Sequence, residues 1–182
     1  MSDPTNGETI RETLDPAEYF GAESPCFGCS PDHAIGFHLH CARVTSPEGQ
    51  RSIETELVPG AQYQGPPGVM HGGLVMTLAD EVAAWTVIGL TSRFGFTAAM
   101  SCKLHRPVRI GQPVAGRGTI ASASLRIVKV EITLSQSGDL AFAGDFTFAL
   151  LDASGAERLL GGPLPEAWRR FARSPQSSSG GS

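Results

Sequence analysis

The sequence predicts an α+β fold, an antiparallel sheet wrapped around one long helix, and three observations carry that reading. A segment from about Gly72 to about Gly89 is apolar on every side, as a buried helix must be. Several other segments alternate apolar and polar residues with a period of two, as strands with one buried face do. The connections between those segments are short, which favours hairpins and antiparallel pairing. A chain of 182 residues holds one well-cored domain rather than two.

In chain order, residues 1–25 read as an N-terminal extension that mixes Pro, Gly and acids without a sustained period. Its start, Met1 to Arg11, has no basic patch followed by an apolar run, so it is not read as a secretory signal. The domain proper is expected over residues 26–160. Phe37, Leu39 and Cys41 set against His38 and His40 mark a first strand, and Ile53, Thr55 and Leu57 set against Glu54 and Glu56 a second. Gln64-Gly65-Pro66-Pro67-Gly68 is a rigid lead-in loop to the helix. On the helix, Leu74, Leu78, Val82 and Trp85 cover one side and Met76, Ala79, Ala83 and Val87 the other. Four more strands follow: Ala98-Met100-Cys102-Leu104, Val114 to Ile120, Val128 to Leu134, and Phe142 to Leu150. Residues 161–182 should supply a short helix carrying Leu164, Trp168 and Phe171, then a disordered Ser/Gly tail from Pro175 to Ser182.

Composition bounds the function. With 41% hydrophobic and 18% charged residues and a net charge of −4, the chain reads as soluble and globular and not as a nucleic-acid binder. Leu74 to Leu90, the longest apolar region, is interrupted by Asp80 and Glu81 and is read as short of a membrane span, so no membrane partner and a cytoplasmic location are expected. Four cysteines without a secretion signal do not suggest a disulfide framework.

Asp80 and Glu81 are the charges of the apolar helix, and adjacent helical positions point about 100° apart. At least one should leave bulk water, and a buried carboxylate needs hydrogen bonds or a raised pKa. The pattern leaves two readings open: a catalytic acid or base, or one half-exposed carboxylate beside another that caps backbone or pairs with an arginine. At the start of the helix, Gly72 and Gly73 offer backbone N–H groups at the positive dipole end with no side chain to block approach. Such a terminus can stabilise the oxyanion of acyl transfer, although a Gly-Gly pair also suits close backbone packing. Gly72 and Asp80 are about 12 Å apart at about 1.5 Å per residue, too far to serve one carbonyl from one chain. They can cooperate only across two antiparallel helices of a dimer, which gives two symmetric sites.

Gly65-Pro66-Pro67-Gly68-Val69-Met70-His71-Gly72-Gly73 followed by Thr77-Leu78-Ala79-Asp80-Glu81 resembles the hotdog-fold acyl-CoA thioesterases of the phenylacetate-degradation type and their mammalian relatives. The likeness extends to Thr97 through Arg106-Pro107, to Gly138 through Phe148, and upstream to Cys26-Phe27-Gly28-Cys29 and Gly36-Phe37-His38-Leu39, roughly residues 26–151. It implies a homodimer, or a dimer of dimers, that hydrolyses an acyl-CoA or acyl-carrier thioester without metal or cofactor. It further implies that the Gly72 N–H binds the thioester carbonyl and that Asp80 of the other chain acts as nucleophile or general base. His71 would shape the oxyanion side, with Gly73 beside it, and Thr97 would orient the attacking water. The family often carries Asn or Gln on the loop before His-Gly-Gly, and Gln64 is the candidate for that role. A non-catalytic acyl-CoA-binding protein is the rival reading on this fold, and a dehydratase or hydratase using His71 and Asp80 a further one.

Lys103, His105, Arg106 and Arg109 form a basic cluster suited to coenzyme A phosphates, with Lys103 and Arg106 the candidate binders, or a charged sheet edge protected from pairing. Cys26, Cys29, His33, His38, His40 and Cys41 invite a zinc reading, but His38 and His40 share a strand face opposite to Cys41, so a thiol-lined turn is expected instead. Trp85, Phe94 and Phe96 line an acyl pocket or belong to the core.

Overall fold

The computed structural model describes residues 8–21 and 24–172. In chain order the elements are β1 (Ile10–Leu14), α1 (Pro16–Phe20), β2 (Cys41–Thr45), β3 (Arg51–Leu57), α2 (Gly72–Thr91), β4 (Gly95–Leu104), β5 (Val114–Ala123), β6 (Ile127–Gln136), β7 (Asp139–Leu150), α3 (Ala153–Leu160) and α4 (Glu166–Arg169). The strands form one sheet in the order β1-β2-β3-β5-β6-β7-β4, every neighbouring pair antiparallel. This sheet curls around α2, the hotdog arrangement expected from the sequence.

α2 forms because nothing in its interior breaks it and because both ends are capped. The His71 side chain accepts the Gly73 N–H at the start, and Ser92 takes a left-handed conformation at the end, its N–H on the Ile88 carbonyl. The helix therefore runs past Gly89, the stop expected from the sequence. Gly89 serves close packing instead: a Cβ there would lie 2.8 Å from Ile53 Cδ1 and 2.9 Å from Leu14 Cδ1. By length and composition α2 matches a membrane span, contrary to the sequence reading, but 61% of that window is buried inside the fold, where the sheet covers it.

The inner face of the sheet supplies Ile53, Val114, Val130, Ile132, Leu134, Phe142, Phe146 and Phe148, and α2 supplies Val75, Leu78, Val82 and Trp85, all in one core. Gly116 and Gly118 of β5 face this helix. A Cβ at Gly118 would overlap Thr86 Oγ1, so the Gly-rich strand is what lets helix and sheet approach. β6 and β7 join through Ser137 and Gly138, both with positive φ, a two-residue turn whose twist suits the hairpin.

Three features differ from the sequence reading. β1 and α1 lie within residues 1–25, and β1 pairs with β2 from Ile10↔Thr45 to Leu14↔Cys41. It carries little apolar signal because Leu14 alone of its residues is buried. The first predicted strand starts late, at Cys41, because His38 sits at φ 50 and bends the chain out of extended geometry. α3 was not anticipated, and with α4 it covers the end of α2 through a second cluster of Ile88, Phe94, Ala156, Leu164 and Phe171. The Ser/Gly tail lies outside the described residues.

Candidate active site

Asp80 and Glu81 leave α2 in different directions, as their 100° offset requires. Asp80 is half-buried, and its Oδ1 accepts a hydrogen bond from Thr97 Oγ1 at 2.7 Å. Thr97 reaches the helix because β4 carries a bulge: Thr97 pairs with Phe148 and Ala99 with Thr147, leaving Ala98 unmatched. The bulge puts Thr97 on the inner face with Met100, where unbroken alternation had put Ala98. Asp80, Glu81 and Thr97 line a cavity of about 220 Å³ whose far wall is aromatic, with Phe20, Trp85, Phe94, Phe96 and Trp168. Trp85 and Phe94 line this cavity and are also core residues.

The helix start lies eight residues away, about 12 Å along the axis. His71 is exposed, and its Nδ1 accepts the Gly73 N–H at 3.1 Å. The N–H groups of Leu74 and Val75 go to the His71 carbonyl, and among the described residues the Gly72 N–H has no partner. Gly72 is thus the donor left over at a positive helix end, whereas the Gly73 N–H is already used by the cap. Gln64 is exposed next to this terminus, and its Oε1 closes the loop by accepting the Gly68 N–H at 3.0 Å.

The basic cluster divides in the structure. Arg106 and Arg109 share a surface cleft with Asp139, and Arg106 Nη1 is paired to Asp139 at 3.0 Å. Lys103 stands opposite Ala143 and, with Ser101, Glu131 and Asp145, lines the outer sheet face, away from the cavity. Lys103 and Arg106 are therefore not brought together with Asp80 in one chain.

The cysteine turn is the feature the sequence reading resolved least. His38 Nε2 contacts the His33 carbonyl oxygen at 2.6 Å, and Cys41 is buried in β2, so the histidines and Cys41 do not form the zinc set considered above. Cys26 and Cys29 instead converge on Glu81, which lies 55 residues from Cys26. The Cys29 thiol donates to Cys26 Sγ at 2.9 Å, and Cys26 Sγ lies 3.6 and 3.8 Å from the Glu81 oxygens. Burial, then the neighbouring Cys26, pushes the Glu81 carboxyl up to about 8. The hydrogen bond from Cys29 pulls the Cys26 thiol down to about 5, and the same contact with burial pushes Cys29 up. One helical position after the candidate catalytic carboxylate, a second carboxyl is thus tuned by different partners.

The family model of the thioesterase superfamily matches residues 67–143, which include the His71-Gly72-Gly73 start, Asp80, Thr97 and most of the sheet. No curated protein matches the chain. Among solved structures, a thioesterase superfamily protein is similar at 22% identity with a TM-score of 0.60, covering 72% of this chain and 64% of its own. The chain thus spans less than two thirds of that protein. A hypothetical thioesterase with coenzyme A from Streptococcus pneumoniae TIGR4 is similar at 17% identity and TM-score 0.52, over 54% of this chain and 79% of that one. A phenylacetic acid degradation-related protein from Ralstonia eutropha JMP134 is similar at 22% identity and TM-score 0.50, over 54% and 76%. At these identities the likeness concerns the fold, and it agrees with the sheet wrapped around α2. Residues 67–143 thus resemble the thioesterase superfamily, and the chain has the hotdog architecture of the solved structures it is similar to.

Proposed function

We propose that this protein hydrolyses an acyl-CoA thioester to the free acid and coenzyme A, with each active site shared between two chains. The observation that carries the reading is the pairing of half-sites in one chain: Asp80 held by Thr97 at the wall of an apolar cavity, and the unengaged Gly72 N–H about 12 Å away along α2. In an antiparallel dimer of α2 helices each half-site completes the other. β4 favours such a partner, since it is a sheet edge on which Met100 and Leu104 are each 48% exposed.

In this arrangement the Gly72 N–H of one chain polarises the thioester carbonyl and stabilises the oxyanion. Asp80 of the other chain attacks the carbonyl carbon or takes a proton from an attacking water, and the thiolate of coenzyme A leaves. Thr97 fixes the Asp80 carboxylate by donating to Oδ1, leaving Oδ2 for the reacting group. His71 acts by capping: its Nδ1 accepts the Gly73 N–H, so that nitrogen is engaged and not free to act as a base. That engagement disfavours the dehydratase alternative. Coenzyme A as the carrier is supported by the S. pneumoniae neighbour solved with that molecule. The cavity of about 220 Å³ is smaller than the roughly 300–1,000 Å³ pockets that enclose whole ligands, so it suits the acyl end alone.

The test is a panel of aliphatic and aromatic acyl-CoA thioesters followed by free-thiol detection. Thiol release on at least one, abolished in Asp80→Asn with coenzyme A affinity retained, supports hydrolysis. Tight binding across the panel without thiol release contradicts it and supports the binding-protein alternative.

A further inference from the structure

We propose that Cys26, Cys29 and Glu81 form a binding site for a thiophilic divalent cation, Zn²⁺, at the edge of the Asp80 cavity. Three ligand atoms, Sγ of each cysteine and a Glu81 carboxylate oxygen, lie within 4.8 Å of one another. Two thiolates and a carboxylate are a donor set for zinc, and the sulfur pair selects it over harder cations such as Mg²⁺ or Ca²⁺.

The surrounding chain holds this set in place. The Phe37 N–H donates to the Phe27 carbonyl and the Leu39 N–H to the Gly28 carbonyl, pinning the Cys26–Cys29 turn against the strand that follows. The Cys29 N–H points at Cys26 Sγ at 3.4 Å, a backbone donor placed where a metal-bound thiolate gains from one. Gly28 is required by the third ligand, because a Cβ there would overlap the Glu81 carboxyl. Glu81 is fixed by α2. Among the described residues its hydrogen-bond partner is the Cys26 thiol, and no Lys, Arg or His pairs with it. With the protons of the thiols and of Glu81 released, the cluster would hold partly buried negative charge, which a divalent ion neutralises.

Binding forms two Zn–S bonds and one Zn–O bond. The thiol protons, and that of Glu81 where it is held, pass to solvent, with no change of oxidation state. With Zn–S near 2.3 Å a tetrahedral pair of sulfurs sits about 3.7 Å apart, so the present 2.9 Å separation must open by less than about 1 Å. Both cysteines and Glu81 line the cavity that also contains Asp80 and Thr97, so the fourth position is open to it and takes water. The site does not depend on the proposed hydrolysis and is tested without an activity assay.

The full chain, purified under reductant without chelator, is assayed for metal, then stripped and titrated with Zn²⁺ and with Co²⁺ as a spectroscopic probe. The expected result is about one ion per chain and a thiolate-to-cobalt charge-transfer band. Cys26→Ser and Cys29→Ser should each weaken binding by about 100-fold or more and Glu81→Gln by about 10-fold, whereas Cys102→Ser, at an exposed thiol on β4, should leave it unchanged. Less than a tenth of an equivalent after zinc loading, or affinity unchanged in both cysteine variants, overturns the site. Should those variants not fold, the wild-type cobalt spectrum decides: a charge-transfer band supports the site and its absence overturns it.

Discussion

Asp80 looks across the cavity to β4, where the Thr97 hydroxyl holds one of its oxygens, whereas Glu81 looks to the Cys26–Cys29 turn, where its neighbours are thiols. The two share a helix, a cavity and a side-chain chemistry. What separates them is a rotation of about 100° and the partners it selects. Asp80 meets a neutral hydroxyl donor on one oxygen and keeps the other free. Glu81 meets burial and the neighbouring Cys26, which favour its protonated form. In the two proposals above, position on the helix gives the two carboxyls different work, acyl transfer for the first and cation binding for the second.

The largest effects should fall on the Asp80 side. Asp80→Asn preserves the Thr97 contact, since the amide oxygen still accepts, and should lower kcat by on the order of 10² or more while the proposed dimer persists in sedimentation. Gly72→Pro removes the proposed oxyanion donor while respecting the helix: proline suits the first helical position, and His71 at φ −59 and ψ 131 has the conformation that precedes proline. A Cβ at Gly72 meets Leu104 Cδ2 at an ordinary 3.9 Å. Its kcat should fall by about 10²–10³ with the circular dichroism spectrum retained.

Thr97→Val comes next. It keeps the shape and deletes the hydroxyl, so kcat should fall about tenfold, about 1.4 kcal/mol for one hydrogen bond to a charged group, and Thr97→Ser should restore it. An unchanged rate in Thr97→Val would remove the positioning role.

Glu81→Gln should change turnover least, by less than about threefold, because the proposed mechanism gives Glu81 no part at the reacting carbonyl. Its effect belongs to metal-free stability. The Glu81 pKa rises on folding from 4.5 to about 8, so the folded chain holds a proton that the unfolded chain gives up across that interval. Its contribution is present in full below about pH 4.5 and is lost as pH rises through about 8. In chelator, wild type should therefore lose stability relative to Glu81→Gln between pH 5 and 8, on the order of 1–3 kcal/mol by urea denaturation. A gain over that range would reverse the assignment.

Much of this was legible in the sequence because it rests on strong periodicity. α2 and the strands around Ile53, Val130 and Phe146 carry their burial in their pattern. Thr97 and Asp80 could be named from the family resemblance, but their contact depends on a bulge at Ala98 that alternation does not reveal. β1 escaped notice because an edge strand with one buried residue has little hydrophobic signal. Gly89 suggested a helix stop, yet its missing Cβ makes room for Ile53 and Leu14, contacts visible only once the sheet is wound. The Cys26–Cys29–Glu81 cluster is hidden for a similar reason: sequence proximity groups the turn with nearby histidines, while its third member comes from a helix 55 residues away.

The proposed shared site is tested most directly by mixing two variants that the proposal makes inactive. Asp80→Asn and Gly72→Pro, each with little activity alone, are combined, exchanged through mild denaturant and assayed for thioester hydrolysis. If each site takes Asp80 from one chain and Gly72 from the other, mixed dimers hold one intact site, and activity should recover to about a quarter of wild type, half the dimers being mixed and half their sites intact. If both groups serve a site within one chain, no mixture contains an intact site. Activity that stays at the level of the separate variants, with mixed dimers verified by native mass spectrometry, would contradict the account.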